Sequence, residues 1–132
     1  MLTKLAIHTS TKEQFIDITP QVEGAVRELG LTDGIVLIFV PHTTAAVTIN
    51  ENHDPTVVHD ILLTLDHDVP LDRRFTHAEG NSMAHAKSTL IGCSQQVIVK
   101  EGHLVLGTWQ GIFFCEFDGP RHRTVYVKGL PA

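Results

Sequence analysis

Nine of the 132 residues are histidines, nearly as many as the ten lysines and arginines together. The question the sequence poses is which of them converge. His42 stands just past an apolar run, in Pro41-His42-Thr43-Thr44, where a strand end meets a loop and functional side chains are common. His77, Glu79, Asn81 and His85 form a second cluster. Asn81 and His85 are four apart, so a helix stacks them on one face. His77 precedes that helix and can fold back over its N-terminus, itself a ready anion site. Imidazoles and carboxylates in this combination suit Zn²⁺ or a similar divalent ion. No HExxH or comparable short zinc motif is present, so surface or hydrogen-bonded histidines remain the alternative.

Three further places carry charge where charge needs a reason. Glu51 is in phase with Val47 and Ile49 on an alternating strand, while Asn52, His53 and Asp54 read as a solvated turn leading into a capped helix. Glu116 sits in Thr108-Trp109-Gln110-Gly111-Ile112-Phe113-Phe114-Cys115-Glu116-Phe117, a strand apolar on both faces. It should be partly buried and needs a cation, a metal or a raised pKa. A salt bridge and a catalytic role are the two readings. Gly107 and Gly111 fit strand bends or close backbone approach to a ligand. Arg121 and Arg123 are two apart and point the same way along a strand. They either clamp a phosphate or carboxylate or make ion pairs between subunits. His59 and His67 fall on the polar side of a helix and, with His8 and His103, are read as solvated.

The elements that must position these residues follow from local pattern. Lys4–Thr9 and Gln14–Thr19 alternate and read as strands joined by a polar turn. Thr19-Pro20 opens a helix, with Thr19 as N-cap, that Gly30 closes. Ile35–Val40 is apolar throughout, which predicts a central strand covered on both faces. Ala46–Asn50 is the next strand, and Asp54-Pro55 opens a helix through Leu65. Residues 66–80 read as loop. Asn81 or Ser82 caps a short helix that stops at Gly92. Gln96–Lys100 and Leu104–Leu106 flank a hairpin turn at Glu101-Gly102. Thr108–Phe117 and Thr124–Lys128 complete the chain. The order β-β-α-β-β-α-α-β-β-β-β, with strands grouped at the C-terminus, predicts an α+β fold with a largely antiparallel sheet.

Length and composition bound the answer. A chain of 132 residues supports one core and is read as a single domain, 1–132. With 42% hydrophobic and 19% charged residues it is not a disordered chain. No apolar run approaches the ~20 residues that span a bilayer, and the N-terminus lacks the apolar core of a secretory signal. Fifteen acids against ten bases give a formal charge of −5, which argues against a general nucleic-acid footprint. Any anion site must be a local concentration of bases. Protonating every histidine would carry the charge to +4, so solubility should respond to pH between about 6 and 7. Cys93 and Cys115, far apart and in apolar surroundings, read as buried thiols of a reducing cytoplasm.

The segments HTTAAVTINEN (42–52), HAEGNSMAHAKSTLIG (77–92) and LGTWQGIFFCEFDGPRHR (106–123) resemble the YjbQ-like proteins, described as secondary thiamine-phosphate synthases. The resemblance spans nearly the whole chain. It implies a small α+β domain with a mixed β-sandwich core, commonly a homotrimer. It also implies a histidine-lined pocket, mapping to His42, Glu51, His77, Asn81, His85, Trp109, Gln110 and Glu116, and a divalent metal, zinc rather than magnesium because the site is His-rich. On that reading His42, His77 and His85 hold the metal, and Glu51, Glu116 and Asn81 are catalytic. Trp109, Gln110, Thr43, Arg121 and Arg123 bind a small phosphorylated substrate. A small residue is usual in the family where Ser82-Met83 stands, so Met83 is expected to narrow the pocket. The implied reaction joins a hydroxymethylpyrimidine diphosphate to a thiazole phosphate, giving thiamine phosphate and pyrophosphate. A zinc hydrolase and a non-catalytic binder of a metal or small anion are the alternatives.

Overall fold

The computed structural model describes residues 2–132. Its elements are β1 (Leu2–His8), β2 (Gln14–Asp17), α1 (Thr19–Glu28), β3 (Asp33–Phe39), β4 (Ala45–Glu51), α2 (Pro55–Asp68), α3 (Ser82–Ile91), β5 (Ser94–Lys100), β6 (His103–Leu104), β7 (Gln110–Glu116) and β8 (His122–Pro131). The order is the one the pattern predicts. Every strand pair is antiparallel. One sheet runs β1-β8-β3-β5-β6 and the other β2-β7-β4.

The sheets face each other across the main core, which takes Val36 and Ile38 from β3, Val125 and Val127 from β8, Val47 from β4, and Ile112 and Phe114 from β7. Helix α1 adds Val22, Ala25 and Val26 to it. The outer face of the three-stranded sheet carries Ala46, Phe113 and Cys115 under α2 and α3, with Val58, Leu62 and Leu65 packed on top. β7 is therefore apolar on both faces because it is buried on both. β3 is not. Val36, Ile38 and Val40 are buried, but Ile35, between Ile98 and Leu130, and Phe39 farther along the strand are exposed. Among the described residues no helix covers this side, so the expectation of a strand covered on both faces is corrected. An apolar run records burial in whatever assembly the chain adopts.

The helix ends show local chemistry. Asp54 caps α2 by accepting from Thr56 N at 2.9 Å, with Pro55 at the first position. Gly30, at φ 64°, ends α1 with Gly30 N donating to Arg27 O and Leu31 N to Val26 O, the paired bonds of a Schellman motif. The start of α1 differs from expectation. Ile18 is the N-cap and Thr19 lies inside the helix. Thr19 N donates to Asp17 Oδ1, and its hydroxyl accepts Ile112 N, so that hydroxyl is spent joining α1 to β7. Lys87 of α3, 3% exposed, bonds Glu13 at 2.5 Å and also Asp66 of α2. Burial works against its charge, but the two carboxylates outweigh it and raise its pKa. This clamp ties α2 and α3 to the β1–β2 connection. No described helix is long and apolar enough to cross a membrane.

One buried pair joins the sheets. Glu116 of β7 is fully buried and accepts from Arg123 Nε at 2.9 Å and Nη2 at 2.5 Å. It also accepts from the Thr9 hydroxyl at 2.7 Å and Asp118 N at 3.1 Å. Burial alone would raise its pKa, yet Arg123 and Thr9 prevail and hold it below its ordinary 4.5. Gly119 lets the turn close over the pair, since a Cβ there would collide with the Thr11 carbonyl oxygen and lie 2.8 Å from Glu116 Cγ. Glu116→Gln strands Arg123 without a counter-charge and should cost about 3–5 kcal/mol in urea unfolding. A carboxylate with a depressed folded pKa stabilises above its unfolded value and loses that contribution as pH falls through the folded one. The wild type should thus weaken below about pH 4.5, and the variant should lack that part of the slope. Equal urea midpoints at neutral pH would refute this.

Candidate functional site

Four pieces of chain meet at the Glu116 end of the three-stranded sheet. They are the β3–β4 loop, the α2–α3 loop, the first turns of α3 and the β7–β8 turn. Together they line a cavity of about 380 Å³ with His42, Thr43, His77, Asn81, His85, Asp118, Arg121 and Arg123 among its walls. A second hollow of about 430 Å³ adjoins it through His42, Thr43 and His85 and reaches Cys93.

Each side chain is placed by its neighbours. Asn81 and His85 share one face of α3, and His85 N donates to Asn81 O at 3.3 Å. The His77 ring stands edge-on to that of His85, centroids 5.3 Å apart. His77 Nε2 lies 3.9 Å from Glu79 Oε1. Ser88 fixes the β3–β4 loop by donating to Thr43 O at 2.6 Å. Asn81 Nδ2 donates to Asp118 Oδ2 at 2.7 Å, leaving its Oδ1 buried without a partner. Arg121 donates from Nε to Asp118 O at 2.7 Å and from Nη2 to Asp118 Oδ2 at 3.0 Å. Burial would raise the Asp118 pKa, but Asn81 and Arg121 lower it overall. Thr124 N donates to His42 Nε2 at 2.9 Å. Burial first, then the Arg123 guanidinium, hold His42 below the usual histidine range.

Of the residues read from sequence, His42, Thr43, His77, Asn81, His85, Arg121 and Arg123 meet around one cavity. Glu116 lies beneath it as the salt-bridge partner of Arg123. Arg121 and Arg123 divide: the first is exposed and held by Asp118, the second buried against Glu116. Glu51, Trp109 and Gln110 sit elsewhere. Glu51 pairs with Gln110, while Ala45 pairs with Glu116. Six residues of strand, about 20 Å, separate them from the histidines. Trp109 lies in the turn before β7, outside the strand expected to hold it, with its ring 5.1 Å from that of His53. The close approach at Gly111 is to the Asn52 side chain, with which a Cβ at that position would collide, rather than to the pocket. Met83 lines a neighbouring cavity of about 220 Å³ beside Lys87.

The donor set does not fit the implied metal as it stands. Among the described residues, no group of three His, Cys, Asp or Glu side chains is disposed to hold an ion. His42 Nε2 is already an acceptor for a backbone amide. Asp118 and Thr44 were not singled out from sequence. Asp118 reads only as a turn residue, though a carboxylate three before Arg121 was the available signal. Cys93 corrects the expectation of two buried thiols: it is exposed, and only Cys115 is buried. The apolar neighbours of Cys93 belong to the end of α3 and do not enclose it. Burial pushes the Cys115 thiol well above its ordinary pKa, which suppresses the reactive thiolate. A thiol-specific reagent should modify one cysteine per native chain and the second only on unfolding. Two fast thiols by mass spectrometry would contradict this placement.

The sequence profile of the family described as "UPF0047 protein YjbQ-like" matches residues 3–132. A UPF0047 protein of Methanocaldococcus jannaschii is 58% identical, covering 97% of this chain and 93% of that relative. YugU of Bacillus subtilis is 54% identical, covering 97% and 98%. A crystal structure from Clostridium acetobutylicum, of a protein called uncharacterised, superposes with a TM-score of 0.94 at 54% identity, covering 97% of this chain and 99% of that one. A YjbQ-like protein of unknown function from Sulfolobus solfataricus does so at 0.94 and 38% identity, covering 100% and 97%.

Proposed function

The chain belongs to the YjbQ-like UPF0047 family, and from that premise we propose that its histidine-lined cavity binds a small phosphorylated molecule and acts on it. The observation that supports this is the convergence of His42, His77, His85 and Arg121 on one cavity. Asn81, which lines the cavity, is the N-cap of helix α3 and makes no side-chain cap, so its side chain takes up none of the amides at that helix end. The reaction implied by the resemblance is alkyl transfer, in which the pyrimidine's diphosphate leaves and thiamine phosphate forms. Arg121 would neutralise the departing pyrophosphate, and His77 or His85 would act as the acid that meets it.

Inorganic pyrophosphate is the simplest probe. In calorimetry it should bind the wild type, and Arg121→Ala should weaken it by roughly 10- to 100-fold, the span of a charge-assisted hydrogen bond. Equal affinity would remove Arg121 from the site. Incubation with hydroxymethylpyrimidine diphosphate and thiazole phosphate should yield thiamine phosphate. Binding without product would favour a non-catalytic anion binder.

The homotrimer is proposed on a separate observation, the open apolar face of the five-stranded sheet with Ile35, Phe39, Ile98 and Leu130. Contiguous exposed apolar surface of this kind marks interaction sites. Trp109, Gln110 and Glu51 can meet a ligand held by Arg121 only across such a subunit boundary. Ile98, 61% exposed, is the residue to change. Sedimentation should give a three-chain mass for the wild type and a smaller one for Ile98→Lys with unchanged circular dichroism. A variant that keeps the wild-type mass would rule out this face. The exposed free Cys93 agrees with a reducing cytoplasm as the setting.

A further inference from the structure

We propose that His42 is locked as the neutral tautomer protonated on Nδ1, and that it serves the bound anion as a hydrogen-bond donor, neither as a base nor as a metal ligand through Nε2. The proposal rests on the anion-binding reading above and deepens it.

The lock comes from the sheet. β3 pairs with β8 as far as Phe39 opposite Tyr126. The next residues, Val40 and Pro41, turn away toward β4, so the ladder supplies no carbonyl for the amide of Thr124. His42 takes that place. Its Nε2 receives Thr124 N–H at 2.9 Å, and a backbone amide can only donate. Nε2 must therefore present its lone pair, and in a neutral ring the proton then resides on Nδ1. Protonating Nε2 would set two N–H groups against each other and leave the Thr124 amide without an acceptor. The Arg123 guanidinium beneath the loop, itself bound to Thr44 Oγ1 at 2.9 Å, opposes an imidazolium more than its partner Glu116 favours one.

Nδ1 makes no hydrogen bond within the chain among the described residues, while the half-buried ring lines both adjoining hollows. A fixed, neutral N–H on a ring that lines a cavity shared with Arg121 is suited to a phosphate oxygen. It is unsuited to accepting a proton or to lending a lone pair from Nδ1. The roles of the three histidines thus separate. The rings of His77 and His85 stand edge-on to each other, with Glu79 beside His77, and among the described residues neither carries such a lock.

The test is long-range ¹H–¹⁵N correlation on uniformly labelled wild-type protein at neutral pH, with His42→Ala used for assignment. The expected spectrum shows Nε2 of His42 as an unprotonated nitrogen and Nδ1 as a protonated one. Inorganic pyrophosphate should then shift Nδ1–H. An Nε2-protonated ring, or one averaging between tautomers, overturns the lock. Pyrophosphate binding in calorimetry with no response at His42 overturns the donor role. Loss of the Nε2 acceptor signal on adding zinc overturns the exclusion of ligation. Failure of the wild type to bind pyrophosphate at all would overturn the anion reading and with it the donor role, while leaving the tautomer measurement to stand by itself. In calorimetry, His42→Ala should bind pyrophosphate about tenfold more weakly. His42→Asn, whose amide nitrogen reaches the position of Nδ1, should recover most of that loss. Equal affinity of His42→Ala and wild type would also overturn the donor role.

Discussion

The carboxylate of Glu116 is buried between two sheets, and the molecule is organised around satisfying it. An ionised carboxylate in that position is very costly unless it is paired and hydrogen-bonded. Here it receives both nitrogens of one face of Arg123, the Thr9 hydroxyl and the Asp118 amide. Each donor comes from a different piece of chain. β7 brings the acid, β8 the arginine, the end of β1 the threonine, and the turn between β7 and β8 the amide. Thr44, at the start of β4, holds the remaining edge of the guanidinium. Meeting the needs of one buried charge therefore fixes the relative position of both sheets and of every loop rooted at that corner. The cavity opens directly above, so its walls inherit this rigidity. The helical side of the cavity is anchored in a parallel way by Lys87, which binds Glu13 and Asp66 and thereby secures α3 and α2, the helices on either side of the loop that carries His77.

Much of this could be read from the residues. The order of elements follows from period-two alternation, from Asp54-Pro55 and from Gly30, because those signals depend on local backbone physics alone. The apolar character of both faces of β7 correctly implied burial of Glu116. That its partner would be Arg123 was not legible, since β7 and β8 belong to different sheets and only the tertiary arrangement brings residues seven apart together. The open face of β3 was hidden for another reason. Ile35 and Phe39 look like core residues because hydrophobicity reports a surface removed from water, without saying which chain removes it. Trp109 and Glu51 were grouped with the histidines by resemblance. The register of β4 on β7 puts them at the opposite end of the ladder, a separation no local motif encodes. The exposure of Cys93 is hidden from sequence because apolar neighbours in the chain need not be buried themselves: Leu90 is exposed as well.

If the candidate pocket takes the anion proposed for it, counting bases is a poor guide to such sites. Both arginines arrive already paired, Arg123 with Glu116 and Arg121 with Asp118. Net charge is therefore almost absent from the corner, and the phosphate proposed for it would have to share Arg121 with the carboxylate that orients it. What the corner offers is N–H groups held by their neighbours: the Arg121 edge and, on the tautomer proposed for it, the Nδ1 of His42. Donors aimed in advance lose little freedom on binding, so they favour a particular geometry more than they favour charge as such. On the proposed reading such a site would discriminate by the arrangement of oxygens around phosphorus, and its affinity would depend less on salt than that of an open basic patch. The pairing of each arginine serves this end. Asp118 costs attraction toward an anion but prevents Arg121 from swinging freely, and Glu116 keeps a second positive charge below the pocket without exposing it. Specificity in such a pocket originates in the backbone that aims the donors, which is why the ladder ending at Phe39 and the turn at Gly119 matter as much to it as any histidine.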